Sequence, residues 1–196
     1  MLITGMRPVY KGLTDITATC LKTIRNHKGR KSVPAKYKLV LILSAVVLLL
    51  DQITKIWIES NLALGETRAV IPGFFNLVFV LNKGAAFGFL ADLEGALRTY
   101  FFIGVTGLAV VLIIYLLRTV HRRDFYLFTA LGLILGGALG NLIDRIRLGM
   151  VIDFLDFHLG SHHWPAFNLA DVAISVGAVL LIVSFYKKKR YAADSD

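Results

Sequence analysis

Asp171 stands one turn inside the apolar run FNLADVAISVGAVLLIVSFYKKKR, residues 167–190. An ionised carboxylate in a hydrocarbon core costs at least ~2.5 kcal/mol, so the acid needs a reason. Other polar residues sit in similar places near the ends of apolar runs: Asp51 and Lys55, then Asn141, Asp144 and Arg145, then Asp153 and Asn168. If folding brings Asp153 and Asp171 within a few ångströms in a poorly hydrated site, both cannot ionise cheaply, and one keeps a proton. A protonated and an ionised carboxyl side by side activate a water between them and protonate a leaving amine. That is the chemistry of aspartic peptide hydrolysis. Asn141, Asn168 or Arg145 would then orient the pair or a substrate.

Each of these residues also has a structural role open to it. Asp51 and Lys55 are four apart, on one helix face, and can neutralise each other. Asn141 and Asn168 can tie helices together, and Asp144 and Arg145 can mark a helix end at an interface. Their coincidence at one depth, with the rest of the runs nearly free of charge, points to a site. Ser44, Ser175 and Ser184 have no histidine at their level, which argues against a serine–histidine hydrolase. His158, His162 and His163 can in principle hold zinc with Asp153 or Asp156. HLGSHHWP reads better as an interfacial loop anchored by Trp164. No metal and no cofactor is expected. The alternative function is a proton- or ion-coupled transporter using Asp51, Asp144 and Asp171. Such a protein would place its site near the midplane and often show internal repeats, and this chain does neither.

The elements that must position these residues follow from hydropathy. The 196 residues are 56% apolar and only 18% charged, with a mean hydropathy of +0.67. Runs of about 18 apolar residues match a hydrocarbon core roughly 30 Å thick. They fall at Tyr37–Ile58, Thr99–Leu117, Phe125–Ile143 and Phe167–Tyr186. The first is too long for a signal-peptide core. The net charge of +9 clusters before the first run, between the second and third, and after the fourth. The positive-inside rule then puts both termini in the cytoplasm. Contact with anionic membrane lipid, not nucleic acid, accounts for the charge. The lone Cys20 reads as an incidental thiol.

In the outer loop, about 59–98, Gly65 and Pro72-Gly73 are turn signals. FFNLVFVLN, Phe74–Asn82, is rich in strand formers and predicts a small β element. The expected organisation is a basic cytoplasmic extension over 1–36, a four-helix membrane domain over 37–187, and a cytoplasmic tail over 188–196. The extension should be flexible or weakly helical.

NKGAAFGFL (82–90), GGALGNLIDRIRLGMVIDF (136–154), FNLADVAI (167–174) and DQITK (51–55) resemble the signature segments of lipoprotein signal peptidase, the signal peptidase II family. The resemblance runs in order from about residue 38 to 187. It implies an aspartic endopeptidase of the bacterial cytoplasmic (inner) membrane. Such enzymes cut the signal peptide from prolipoproteins just before a cysteine carrying a diacylglyceryl group. By matching position it implies Asp153 and Asp171 as the catalytic dyad. Asn82, Gly84, Asn141, Arg145, Asn168, Ala170, Asp51 and Lys55 would bind substrate or support the site. The implied fold is all-α in its membrane part: four transmembrane helices, with a small extracytoplasmic β element and a short interfacial helix. The expected partners are lipidated prolipoproteins and membrane lipids, the expected state is a monomer, and the site is expected near the outer, periplasmic face.

Overall fold

The structure, a computed structural model, describes residues 34–84, 95–120 and 124–193. Most of the basic N-terminal extension, up to residue 33, lies outside the described residues. Four helices carry the apolar runs: α1 Ala35–Asn61, α2 Gly95–Thr119, α3 Phe125–Leu148 and α4 Leu169–Ala193. Each is long and apolar enough to cross a membrane. Side chains such as Leu41, Ile53, Leu108, Val111 and Ile182 are more than half exposed on the bundle surface. In water such a surface would be unstable, whereas lipid chains solvate it without penalty.

Within the bundle α3 is central. Half of its apolar window is buried, against about a fifth of each of the others. It packs against α1, α4 and α2. Its start is capped by Asp124, whose carboxylate accepts a hydrogen bond from the Leu127 amide at 2.9 Å. It ends at Gly149, at φ 70°, whose N–H returns to the Arg145 carbonyl, a left-handed cap that favours glycine. The helix thus continues five residues past the expected boundary at Ile143. Asp144 and Arg145 lie inside its last turn and do not mark its end.

Small residues let the neighbours of α3 approach its backbone. A methyl group at Gly136 would come within 2.7 Å of the Ser44 carbonyl oxygen, and one at Gly137 within 2.5 Å of the Ala170 carbonyl oxygen. At Gly140 it would meet a carboxylate oxygen of Asp51 at 2.5 Å. This close-packed seam replaces the hydrophobic drive that is missing between helices in lipid. At one end of the bundle Val40, Ile113, Leu117, Leu127, Phe128 and Leu131 form an apolar cluster. At the other, Ile58 and Leu62 pack against Phe79, Ile152 and Phe154.

The last three of these residues belong to an antiparallel sheet of order β1-β2-β3-β4. Its strands are β1 Thr67–Ile71, β2 Phe75–Asn82, β3 Val151–Leu159 and β4 His162–His163. β2 agrees with the expected strand to within one residue. β3 departs from expectation, since residues 158–165 read as an interfacial loop and no strand is expected before them. VIDFLDFHL is rich in strand formers, but its first half is buried on both faces. It therefore lacks the alternation that marks a half-exposed strand. Pairing runs from Phe75 opposite Phe157 to Asn82 opposite Val151. Leu155 also bridges to Phe167, just before α4. No short interfacial helix occurs among the described residues.

The seam makes a direct prediction. Gly137→Ala should destabilise the protein by roughly 1–3 kcal/mol, the range for overpacking, because the obstacle is backbone. Gly104→Ala on α2, where nothing lies within 4 Å of the new methyl, should not. Thermal unfolding of both variants in detergent checks this, and equal midpoints would rule out the close α3–α4 contact.

Candidate active site

The helix ends and the sheet meet around a cavity of about 1210 Å³ lined by Asn82, Gly84, Asn141, Arg145, Asp153 and Asp171, among others. Asp153 comes from β3, two residues after the strand begins. Asp171 comes from the first turn of α4. Its placement there has a local cause. The Asn168 side-chain oxygen accepts the Asp171 N–H at 3.0 Å, and the Asp171 carboxylate accepts the Asn168 N–H at 3.3 Å. This is a reciprocal capping box built from Asn-x-x-Asp. An acid in the first turn also faces the positive end of the helix dipole. The acid one turn into an apolar run is thus partly explained before any chemistry is invoked.

Amides then join the two acids. Asn168 Nδ2 donates to Asp153 Oδ1 at 2.7 Å, and Asn82 Nδ2 donates to Asp153 Oδ2 at 2.9 Å. Asn141 Nδ2 donates to Asp171 Oδ1 at 2.8 Å. β2–β3 pairing is what carries Asn82 to Asp153. Gly84 follows in a tight turn, its N–H bonded to Asn82 Oδ1 at 2.9 Å. Its carbonyl accepts from Arg145 at 3.2 Å. The Arg145 guanidinium also lies over the Phe102 ring, 3.8 Å from its centroid. Burial pushes the Asp153 carboxyl up to about 7, opposed by the Asn82 and Asn168 hydrogen bonds and reinforced by the negative charge of Asp171.

Lys55 does not reach towards water, as its long stem would allow. It is fully buried, with Asp51 and Asp144 at 0% exposure beside it. Its ammonium lies 2.8 Å from Asp51 Oδ2, 2.7 Å from Asp144 Oδ2 and 3.0 Å from Asn141 Oδ1. These are as many acceptors as an ammonium has protons. Withdrawing it would strand two carboxylates. Gln52 adds a bridge, its Nε2 lying 3.2 Å from Asp51 Oδ2 and 3.1 Å from Asp144 Oδ1.

The fold therefore gathers every residue that the sequence nominates, but in two layers. Asn82, Gly84, Asn141, Arg145, Asp153 and Asp171 face the cavity. Asp51, Lys55, Asn168 and Ala170 lie behind it, all four fully buried. Ala170 is fully buried and offers its N–H to Asp51 at 2.9 Å. Asp144, one of the polar residues noted at this depth, belongs to this rear layer, and so does Gln52, which the sequence does not single out. The spacing of Asn141 and Asp144, i and i+3 on one helix face, was the available signal.

The histidines form a separate cluster. His158 and His163 stack with ring centroids 4.6 Å apart, and His163 bonds Asp156 at 2.9 Å. His158 is five residues along β3 from Asp153, ~16 Å at strand rise. Among the described residues no group of three His, Cys, Asp or Glu side chains is arranged to hold a metal.

Known proteins resemble this chain in sequence and in fold. A family model described as signal peptidase (SPase) II matches residues 43–187. The lipoprotein signal peptidase of Maridesulfovibrio salexigens is 53% identical over 154 residues, which are 79% of this chain and 99% of that one. That of Cupriavidus taiwanensis is 51% identical over 169 residues, 85% of this chain and 92% of that one. A bacterial membrane enzyme solved by the in meso method at 2.3 Å resolution superposes with a TM-score of 0.68 at 32% identity, covering 76% of this chain and 88% of its own. The transporter alternative finds no support in these matches.

The rear layer is testable by stability alone. Lys55→Ala leaves two buried carboxylates without their cation and should cost ~3–5 kcal/mol. Adding Asp51→Asn should restore part of that. A double-mutant cycle on thermal unfolding in detergent checks the coupling, and strictly additive effects would exclude the ion pair.

Proposed function

This chain belongs to the signal peptidase II family, and from that premise we propose that it cleaves by aspartic chemistry, with Asp153 and Asp171 as the reacting pair. It is a multi-pass membrane protease that removes signal peptides from prolipoproteins. The observation that carries the catalytic reading is the pairing itself. Two carboxylates from distant segments open on one cavity, each held by amide N–H groups, and Asp153 is buried enough to keep its proton near neutral pH.

In this reading Asp171 is the base and Asp153 the acid. Asp171 takes a proton from a water as the water oxygen attacks the scissile carbonyl carbon. Asp153 gives its proton to the carbonyl oxygen. Collapse of the tetrahedral diol breaks the C–N bond, moves a proton to the leaving nitrogen and returns one shared proton to the pair. The scissile segment must enter extended, since the carbonyls of a helix are already hydrogen-bonded. Arg145 keeps the Gly84 turn at the edge of the cavity. Asn82, Asn141 and Asn168 hold the carboxylates at the angles the reaction needs.

Valine and isoleucine side chains of α4 (Val172, Ile174, Val176) line the apolar wall of the cavity. That wall suits a substrate delivered from lipid. We take the leaving amine to be that of a cysteine carrying a diacylglyceryl group, whose acyl chains would hold the bond at this depth. The basic clusters support a cytoplasmic-membrane location with both termini in the cytoplasm and the site at the outer face. The enzyme is taken to act as a monomer, and the basic charge of residues 1–36 suits anionic cytoplasmic lipid.

Asp153→Asn and Asp171→Asn each keep side-chain volume but cannot exchange the proton. Each should lower cleavage of a purified lipidated prolipoprotein by at least ~10²-fold, with insertion and thermal stability retained. Near-normal turnover in either variant would remove that residue from the pair.

The pH dependence has a defined sign. The acid form of Asp153 is required, so turnover should fall as pH rises through about 7, the pair titrating as a unit. The Asn82 hydrogen bond favours the charged form of Asp153. Asn82→Ala should therefore move the alkaline limb to higher pH. A pH–rate profile of both proteins checks this, and a limb that stays in place or moves to lower pH would contradict it.

A further inference from the structure

Two hydrogen bonds leave the buried ionic cluster and end on the main chain at equivalent points. Asp51 Oδ1 accepts the N–H of Ala170 at 2.9 Å. Asp144 Oδ2 accepts the N–H of Ile152 at 3.3 Å. Ala170 directly precedes Asp171, and Ile152 directly precedes Asp153. One ammonium, that of Lys55, holds both carboxylates, at 2.8 Å and 2.7 Å. A continuous path of polar contacts thus joins the backbone in front of one aspartate to the backbone in front of the other. All five residues on it, Ala170, Asp51, Lys55, Asp144 and Ile152, are 0% exposed. Water cannot stand in for any of them.

A third arm reaches an amide. Lys55 donates to Asn141 Oδ1 at 3.0 Å. That contact turns the amide so that its Nδ2 faces Asp171 Oδ1 at 2.8 Å. Asn168 Nδ2 donates to the same oxygen at 3.3 Å, so the ammonium and a second amide together fix which end of Asn141 faces Asp171.

Burying two acids and a base is a poor way to stabilise a fold. Desolvation offsets most of the attraction, and apolar residues of the same volume commonly do as well or better. What such a cluster does supply is direction, because hydrogen bonds to ions are short and angular where apolar contacts slide. Direction matters at a reacting pair, where a misplacement of 1 Å can cost ~10²-fold in rate.

We propose that Asp51, Lys55 and Asp144 are positioning residues of the cleavage reaction, a three-ion clamp that sets the separation and angle of the two aspartates by gripping the main chain one residue before each. The proposal rests on Asp153 and Asp171 being the reacting pair. It assigns Asp144 a role in rate and separates that role from any contact with substrate.

The test compares Asp144→Ala with Asp144→Asn in the full-length protein in detergent, with a lipidated prolipoprotein as substrate. Ala removes the acceptor for Ile152, whereas Asn keeps an oxygen in its place. Asp144→Ala should lower kcat by ~10²-fold with KM within about twofold, since the substrate-facing residues are untouched. Asp144→Asn should recover most of that loss. If Asp144→Ala fails to fold, replacing the Ile152 amide by an ester removes the same hydrogen bond from the other side. That ester should likewise lower kcat and leave KM alone. A folded Asp144→Ala with wild-type kcat, a loss confined to KM, or an Asn variant as slow as the Ala variant would each overturn the clamp. Asp153→Asn and Asp171→Asn run in parallel separate the two readings. If they are inactive while Asp144→Ala is not slowed, the clamp alone fails. If they stay active, the reacting pair itself is wrong.

Discussion

A lysine ammonium with no access to water governs this structure. Lys55 lies inside a bundle whose outer surface is built for lipid, and two carboxylates and an amide oxygen surround its nitrogen there. Each of those partners comes from an element that must be placed to within a fraction of an ångström. Asp51 is on the same helix one turn earlier, while Asp144 and Asn141 are on α3. The interaction can form only when α1 and α3 are in a single register. It therefore rejects slipped packings that apolar contacts alone would tolerate, a use of buried polarity known from other helical assemblies. In lipid, where helices gain little from mutual apolar burial, that selectivity is hard to obtain by other means.

Close approach is the second half of the same constraint. The cluster fits because Gly140 leaves room for the Asp51 carboxylate and Gly137 lets α4 lie against α3 at the Ala170 carbonyl. Glycine stripe and ion cluster are one device seen from two sides. The stripe sets how near the backbones come, and the ions set where along their length they stop. The Asn-x-x-Asp capping box then starts α4 at the level of the cluster, so capping the helix and placing Asp171 are a single event. β3 completes the arrangement. It begins shortly after α3 ends, and its second residue is anchored to Asp144.

Much of this is legible in the chain. The four spans can be read because a hydrophobic run of membrane length is seldom anything but a span. Asp153 and Asp171 stand out because a carboxylate beside hydrocarbon is too costly to be incidental. β2 is visible as a run of strand formers. β3 is hidden because its buried first half lacks alternation and so carries no strand signature. Lys55 is hard to place for a different reason. A long amphipathic side chain near an interface ordinarily extends towards water, and only the positions of Asp144 and Asn141 reverse that preference.

The amino-acid sequence by itself determined which segments enter the membrane, at which end of the bundle the polar residues collect, and which side chains can exchange a proton. Those are properties of composition and periodicity along one chain, and each run expresses them independently of the others. Only the tertiary structure decided the division of labour among the polar residues. Asp51 and Asp171 are both acids near the end of an apolar helix, and nothing local distinguishes them. One faces an ammonium and a backbone N–H, the other a cavity and an asparagine amide. The backbone N–H that fixes Asp51 comes from 119 residues along the chain, and the amide that fixes Asp171 from 30. A carboxylate's role follows from the charges and donors within a few ångströms of it, and distances of that size exist only once the helices have packed.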